Sequence, residues 1–435
     1  MSASASITAR ELALMALESF RREGKNADEI LDGLLRRHPI DTRESALGSR
    51  IFYVTLQNLY FCDFHIAEHS SLRPEKLEPK VLDILRISVS QILFFDKVPD
   101  YAAVDAAVKL CGKLRYQRAA GLVNAVLRRV AADKGRMPPG EGTAQYLSVR
   151  YSTPLWLVDD YIEQIGFDEC EKLLQANNAE TPATAQVNTL RTDTQSVLAL
   201  FQDAGLSVWE HPWLPNAFEF ENAGNIAVLP GFRDGLFYIQ DAAARLAVSA
   251  LSLAPGLRLL DICAAPGGKS FSAALDMGGD GEILACDISE RRLRNIGSGA
   301  ERLGISIIET RKMDARSPDA EFVGGFDAVL ADVPCSGLGV IRKKPDIRYK
   351  SPEEFRSLPP AQLEILEGAA LCVRPGGVLV YSSCTTRTEE NEDVISAFLK
   401  NNGAFRLDTE NGMRTLWPHI HGTDGFFICK MIRES

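Results

Sequence analysis

A chain of 435 residues with 24% charged residues and a formal net charge of −10 has room for two or three domains with cores of their own. No apolar run approaches the ~18 residues of a membrane span, and Met1–Ile7 lacks the basic region and apolar core of a signal peptide. Nine cysteines, an odd number without a C-x-x-C pair, point away from a disulfide framework or zinc and toward reduced thiols in a cytosol.

In chain order, residues 1–135 read as wholly helical. Leu12, Met15, Ala16, Ser19 and Phe20 share one face, as do Leu82, Leu85, Val89, Ile92 and Leu93. From Lys109 to Ala132 the sequence has no acid but carries Lys109, Lys113, Arg115, Arg118, Arg128 and Arg129. That run is either a solvated helix face or an RNA-facing patch. A global negative charge does not decide the matter, because phosphates are met by one face and not by an average. Asp133 to Gly142, with Gly135, Pro138, Pro139 and Gly140, reads as a linker. Residues 136–235 are mixed, with a helix from Val158 to Ile165 and a short strand and turn at Val187–Arg191. They suggest the linker followed by a small α+β connector without chemistry of its own.

Residues 236–435 alternate strands and helices, the pattern of a doubly wound sheet. Strands are expected at Leu257–Ile262, Gly281–Cys286, Ile305–Glu309, Phe326–Ala331 and Val378–Tyr381. A last strand, Gly425–Ile432, should hairpin back beside Phe405–Leu407. The first strand runs into Cys263-Ala264-Ala265-Pro266-Gly267-Gly268-Lys269 and then a helix, a corner where unpaired N–H groups and the helix dipole favour a nucleotide. Cys263 stands where a Walker A loop needs glycine, and G-x-G-x-x-G is absent. A nucleoside ligand without phosphates, such as S-adenosylmethionine, suits what remains. Asp287, ending the second strand, is placed for the ribose hydroxyls. Asp314, after the third, suits the adenine amino group. Either acid has a helix- or loop-capping alternative.

The fourth strand finishes Asp332-Val333-Pro334-Cys335 and the fifth Ser382-Ser383-Cys384-Thr385. Neighbouring strands put both thiols at one pocket. Carbon methylation gives a reason for them, since cytosine C5 becomes nucleophilic only after a thiolate adds to C6. Asp332 suits the cytosine N3/N4 edge. The base must be unstacked to arrive there. The six histidines offer no ligand spacing beyond His419-x-His421, so no metal is expected.

These motifs resemble the RNA 5-methylcytosine methyltransferases of the NOL1/NOP2/Sun family, over nearly the whole length. Leu85–Pro99 and Gly121–Arg129 resemble a NusB-like RNA-binding domain. The resemblance implies a Rossmann-like class I methyltransferase domain with a seven-stranded mixed sheet, preceded by an all-α NusB-like domain and the connector. It implies Cys384 as nucleophile, with Cys335 assisting proton removal or product release. It also implies S-adenosylmethionine held by Cys263–Lys269, Asp287, Asp314 and Asp332. RNA would meet Arg342, Lys343, Lys344 and Arg348, which lie in a matching family segment, together with Arg128 and Arg129 of the helical patch. The expected substrate is 16S rRNA, with tRNA or 23S rRNA as alternatives and a monomer as the acting species. A non-catalytic RNA-binding factor with a degenerate methyltransferase half is the reading from another class. Two departures stand out. Ala185-Gln186-Val187-Asn188 replaces a family Leu-Arg-Val-Asn, and Gly297 and Gly299 weaken the helix after Asp287.

Overall fold

The computed structural model describes residues 7–24, 26–221, 224–409 and 412–434. It divides into two compact units: Met1–Ala179 with Lys343–Lys350, and Glu180–Arg342 with Ser351–Ser435.

In the first unit the helices are α1 (Ala9–Glu23), α2 (Ala27–Arg37), α3 (Thr42–Gln57), α4 (Leu59–His69), α5 (Pro79–Phe94), α6 (Asp100–Lys113), α7 (Gln117–Ala132), α8 (Ala144–Arg150), α9 (Leu155–Ile165) and α10 (Phe167–Asn178). Helix α5 is the spine. The expected stripe is only part of its buried surface, because Val81, Ile84, Ile87 and Ser88 are buried as well. It packs on α1, α3, α4, α6 and α7, and a helix enclosed this way is apolar nearly all round. Its one acid, Asp83, is fully buried and takes Arg21 at 3.1 Å and Arg86 at 3.2 Å, while Arg86 also reaches Asp63 at 2.7 Å. Pairing of this kind offsets the desolvation of a buried charge. Helices α8 to α10 belong to this unit, with α8 packed on α4. The linker expected at 133–142 therefore lies within one compact body, not between two.

In the second unit β1 (Ala183–Val187), β2 (Val208–Glu210), β3 (Ala217–Phe220) and β4 (Phe237–Ile239) form a small antiparallel sheet in the order β2-β3-β1-β4. It is flanked by α11 (Thr194–Asp203). Gln186 is buried within β1, so no cation is available where family members carry arginine. Asn188 donates to the carbonyls of Gly235 and Leu303, both at 2.8 Å, tying this sheet to the helix that ends at Leu303.

The larger sheet contains β5 (Arg258–Asp261), β6 (Glu282–Asp287), β7 (Ile308–Lys312), β8 (Phe326–Asp332), β9 (Val373–Ser383), β10 (Phe405–Leu407), β11 (Met413–Leu416) and β12 (Phe426–Arg433). Its order is β10-β12-β9-β8-β5-β6-β7, with β11 beside β12. Strands β5 to β9 run parallel and β12 runs antiparallel to β9. Among the described residues the sheet has eight strands, not the expected seven. Strand β11 was missed because Met413-Arg414-Thr415-Leu416 is short and mostly exposed, with no apolar run. Strand β7 starts three residues later than expected, because Ile305 packs into the core directly after the αL residue Gly304 (φ 69°). Both faces of the sheet are covered. Leu260, Val329, Ala331 and Tyr381 face one core; Leu259, Ala328, Leu330 and Val380 face the other. That explains the near-continuous apolar runs.

Helix α12 (Ala242–Ser249) precedes β5, α13 (Gly268–Asp276) follows it and α14 (Glu290–Leu303) follows β6. The two glycines of α14 differ. A Cβ on Gly297 meets nothing within 4 Å, whereas one on Gly299 would stand 2.5 Å from Phe271 Cζ. Gly297→Ala should therefore raise stability by roughly 1 kcal/mol. Gly299→Ala should lose about 1–3 kcal/mol despite its better helix propensity. Urea unfolding of both variants gives the two signs directly, and equal gains would contradict this packing.

Candidate active site

The parallel strands end together at Asp261, Asp287, Asp332 and Ser383, so the site is built on one edge of the sheet. After β5 the chain turns through Cys263, Ala264, Ala265 and Pro266 to Gly267, which sits in the left-handed region at φ 110° and opens α13. A Cβ there would stand 2.8 Å from Phe271 Cζ, so both conformation and space demand glycine. The first amides of α13 carry no intrahelical partner and face the strand ends.

Two buried polar atoms beside this corner lack a partner among the described residues: Asp261 Oδ1 and Gln240 Nε2. Asp261 Oδ2 accepts the Ser270 hydroxyl at 2.7 Å, and Gln240 Oε1 accepts the Ser272 hydroxyl at 2.7 Å. Burial pushes the Asp261 carboxyl up to about 7, against the lowering hydrogen bond from Ser270. At the end of β6, Asp287 accepts the Ser289 amide at 2.7 Å through Oδ1. Asp314 is differently placed. Arg316 binds both of its oxygens, at 3.0 and 2.6 Å, and holds the carboxyl below its usual range. An adenine amino group would have to displace that arginine or share its acceptor.

Strands β8 and β9 pair in parallel with Asp332 opposite Ser382. Beyond that register, Cys335 Sγ and Cys384 Sγ approach to 3.0 Å, and the Cys384 amide donates to Cys335 Sγ at 3.2 Å. Both cysteines are partly exposed. The contact with Cys384, then burial and nearby negative charge, hold the Cys335 thiol well above the ordinary thiol value. Lys269 donates to Asp332 Oδ2 at 2.7 Å and lies over the Phe426 ring at 5.3 Å. Burial works against its ammonium, but the Asp332 carboxylate outweighs it and raises the lysine pKa. Asp332 Oδ1 accepts the Ser382 hydroxyl at 2.8 Å. A carboxylate has further lone pairs for a base edge.

The two sulfur-bearing loops are tied together behind the thiols. Glu390 is fully buried; its Oε2 accepts the Ser336 amide at 2.9 Å and Gln362 Nε2 at 3.0 Å. Ser336 Oγ donates to Thr385 Oγ1 at 2.9 Å. The Gly339 amide donates to the Cys384 carbonyl at 3.0 Å, and a Cβ on Gly339 would stand 1.9 Å from the Gly425 carbonyl oxygen. Sequence reading does not single out Glu390, Asp261 or Gln240. For Glu390 the only cue was Glu389-Glu390 five residues past Cys384, which reads equally well as a solvated helix start.

The expected RNA-facing cations separate into two groups. Lys343, Lys344, Arg128 and Arg129 are exposed. Arg348 is not: its guanidinium is fully buried in the first unit, with Nη1 donating to the carbonyls of Gln57, Tyr151 and Ser152 and to Asn178 Oδ1. Arg342 is also withdrawn, its side chain 7% exposed and ion-paired to Asp241 at 3.1 Å and Asp424 at 2.7 Å. Both are structural arginines, because an expected phosphate contact requires a solvent-facing cation. Among the described residues no group of three or more His, Cys, Asp or Glu is placed to hold a metal. No helix among them is long and apolar enough to cross a membrane.

A doubly wound sheet with a glycine corner after its first parallel strand and acids on the neighbouring strand ends defines the Rossmann-like methyltransferase class. Comparison narrows that class. Residues 248–432 match the model of the 16S rRNA methyltransferase RsmB/F family. Residues 7–132 match the NusB family, and 153–227 the ferredoxin-like domain of RsmF/B-like methyltransferases. The probable ribosomal RNA small subunit methyltransferase B of Bacillus subtilis (strain 168) is 32% identical over 443 residues, covering 98% of this chain and 99% of the relative. The ribosomal RNA small subunit methyltransferase B of Klebsiella pneumoniae is 30% identical over 438 residues, with coverage of 98% and 99%. The crystal structure of PH0851 superposes with a TM-score of 0.80 at 26% identity, covering 99% of both chains. The chain belongs to the RsmB/F family of methyltransferases.

Two outcomes follow from this geometry. Asp261 binds its proton more tightly folded than unfolded, where its pKa is about 3.9, so the stability it confers is greatest below that value and is lost as pH rises to about 7. Asp261→Asn should remove that slope, gaining stability relative to the native chain between pH ~5 and ~8 in urea unfolding. Arg348→Ala should cost roughly 3 kcal/mol of stability, because four acceptors and a packed volume lose their partner. The same change should leave the salt dependence of RNA binding untouched. A reduced salt slope would return Arg348 to the RNA interface.

Proposed function

We propose that this protein is an S-adenosylmethionine-dependent methyltransferase that forms 5-methylcytosine in RNA, with 16S rRNA as the substrate. The observation that carries the reading is the pair of sulfurs 3.0 Å apart at the ends of β8 and β9, beside Lys269 and Asp332. Membership of the 16S rRNA methyltransferase RsmB/F family and the likeness to ribosomal RNA small subunit methyltransferases B support rRNA as the substrate class.

The residues present fit the cofactor. Gly267 and Gly268 leave the α13 amides open, and Asp287 ends β6, the strand beside β5. Gln240 Nε2 and Asp261 Oδ1 offer an unsatisfied donor and acceptor suited to an amino-acid tail. Cys263, Ala264, Ala265 and Pro266 supply the wall between them. When bound, S-adenosylmethionine supplies an electrophilic methyl group on a positively charged sulfur.

Cys384 acts as the nucleophile, adding its sulfur to C6 of an unstacked cytosine and leaving C5 electron-rich. Asp332, steadied by Lys269 and Ser382, accepts from the exocyclic amino group and orients the ring. C5 then takes the methyl group. Solvent water takes the C5 proton as the bond from C6 to Cys384 breaks, restoring the aromatic ring and returning Cys384 as the thiolate. Cys335, in contact with the nucleophile, assists release of the methylated product. Lys343, Lys344, Arg128 and Arg129 are exposed cations on which RNA phosphates would dock.

Cys384→Ala should abolish methyl transfer, a loss of roughly three orders of magnitude or more, with cofactor binding unchanged by calorimetry. Cys335→Ala should instead trap a covalent RNA adduct, seen as a slow band on a denaturing gel. Turnover in the first variant, or a lost product without an adduct in the second, would reverse these roles. Replacing Lys343 and Lys344 together should reduce the slope of log binding constant against log salt by about two. Bisulfite sequencing of rRNA and tRNA from a deletion strain separates 16S rRNA from the alternatives.

A further inference from the structure

Two thiols in contact share a question the sequence does not answer: which of them carries the proton before RNA arrives. If Cys384 is to add to C6 it must give its proton up: one proton of the pair leaves to solvent water, and the two sulfurs, 3.0 Å apart, share the one that remains. Two features already lean opposite ways. The Cys384 amide, 3.2 Å from Cys335 Sγ, favours negative charge on Cys335. Lys269, whose ammonium is raised partly by the charge of Cys384, favours negative charge on Cys384.

The remaining charged group is Glu390. It lies on the short 3-10 turn Thr388–Glu390, has no exposed surface, and grips the amide of Ser336, the residue directly after Cys335. Its Oε2 takes two hydrogen bonds, from Ser336 and Gln362, while Oε1 is buried without a partner among the described residues. Gln362 also donates to the Pro334 carbonyl at 3.0 Å, so the Cys335 loop is held on both sides of the cysteine. The groups facing Cys335 are Cys384 from the end of β9, Tyr381 within β9, the Gly337 amide and Glu390, while Lys269, paired with Asp332, acts on Cys384. The Tyr381 hydroxyl is spent on the Glu390 carbonyl and is itself pushed up by burial, so it stays neutral.

We propose that Glu390 is a positioning residue that decides the polarity of the dithiol: its buried carboxylate behind Cys335 keeps the shared proton on Cys335 and leaves Cys384 as the thiolate. One of the pair's two protons goes to solvent water, and the one that remains sits on Cys335 Sγ across the 3.0 Å contact, which leaves Cys384 Sγ as the thiolate. The charge of Glu390 also contributes to the high thiol value of Cys335, consistent with this direction. The inference rests on Cys384 being the nucleophile.

The test is competitive alkylation of the full-length protein without RNA or cofactor. Iodoacetamide is used at low stoichiometry from pH 6 to 9, and the label at each cysteine is read by peptide mass spectrometry. In the native chain Cys384 should take most of the label. Glu390→Gln keeps an acceptor for Ser336 but removes the charge; it should raise labelling of Cys335 relative to Cys384 by about tenfold near neutral pH, the effect of a one-unit shift. Glu390→Asp, which keeps the charge, should restore the native preference. An unchanged ratio in Glu390→Gln overturns the proposal. So does an equal change in Glu390→Gln and Glu390→Asp, which would make the residue purely structural. Failure of the underlying reading is seen separately, as methyl transfer by Cys384→Ala.

Discussion

The structure depends on the register of β8 against β9. With Asp332 opposite Ser382 in neighbouring parallel strands about 4.8 Å apart, the two chains leave the sheet side by side. Their first few residues then have nowhere to go but toward one another. Cys335 and Cys384 meet because each lies two or three residues past that register, not because either loop is long enough to search for a partner. The buried glutamate, the Gln362 bridge, the Ser336–Thr385 hydroxyl pair and the close approach of Gly339 to Gly425 all act to keep those exits from drifting. A one-residue slip would turn the sulfurs to opposite faces.

Around that fixed pair the chemistry is divided by charge. A cation and a carboxylate stand in front, a carboxylate stands behind, and the corner after β5 presents amides beside unsatisfied buried polar atoms. The unsatisfied atoms at Asp261 and Gln240 carry a cost in the folded chain of about 1–3 kcal/mol each. Bound ligand is the natural recipient for such groups. The helical unit contributes differently: its spine α5 is enclosed on all sides, and its exposed basic residues on α7 belong to the surface and not to the core.

Much of this was legible in the sequence. Buried strands announce themselves as apolar runs, and the acids and cysteines that end them follow by position, so the site edge was readable before any coordinates. Strand β11 was not, because an exposed edge strand carries no such run, and the start of β7 was not, because the apolar Ile305 ahead of it packs into the core without joining the strand. Arg342 and Arg348 were misread for a related reason. A basic stretch looks the same whether its cations face water or end on buried acceptors, and only the fold distinguishes Lys343 from Arg348. Glu390 was invisible because an acid beside another acid reads as surface. Gly299 was read as a weakness in a helix, when the space it leaves is filled by Phe271.

The central claim is that sulfur 384 bonds to a pyrimidine ring during methyl transfer. RNA carrying 5-fluorocytidine at the target position tests it, since fluorine on C5 cannot leave as a proton does and the adduct should persist. After incubation with S-adenosylmethionine and digestion, peptide mass spectrometry should find a methylated fluoropyrimidine nucleotide on Cys384. An adduct on Cys335, or enzyme inhibited with both cysteines unmodified, would contradict the account.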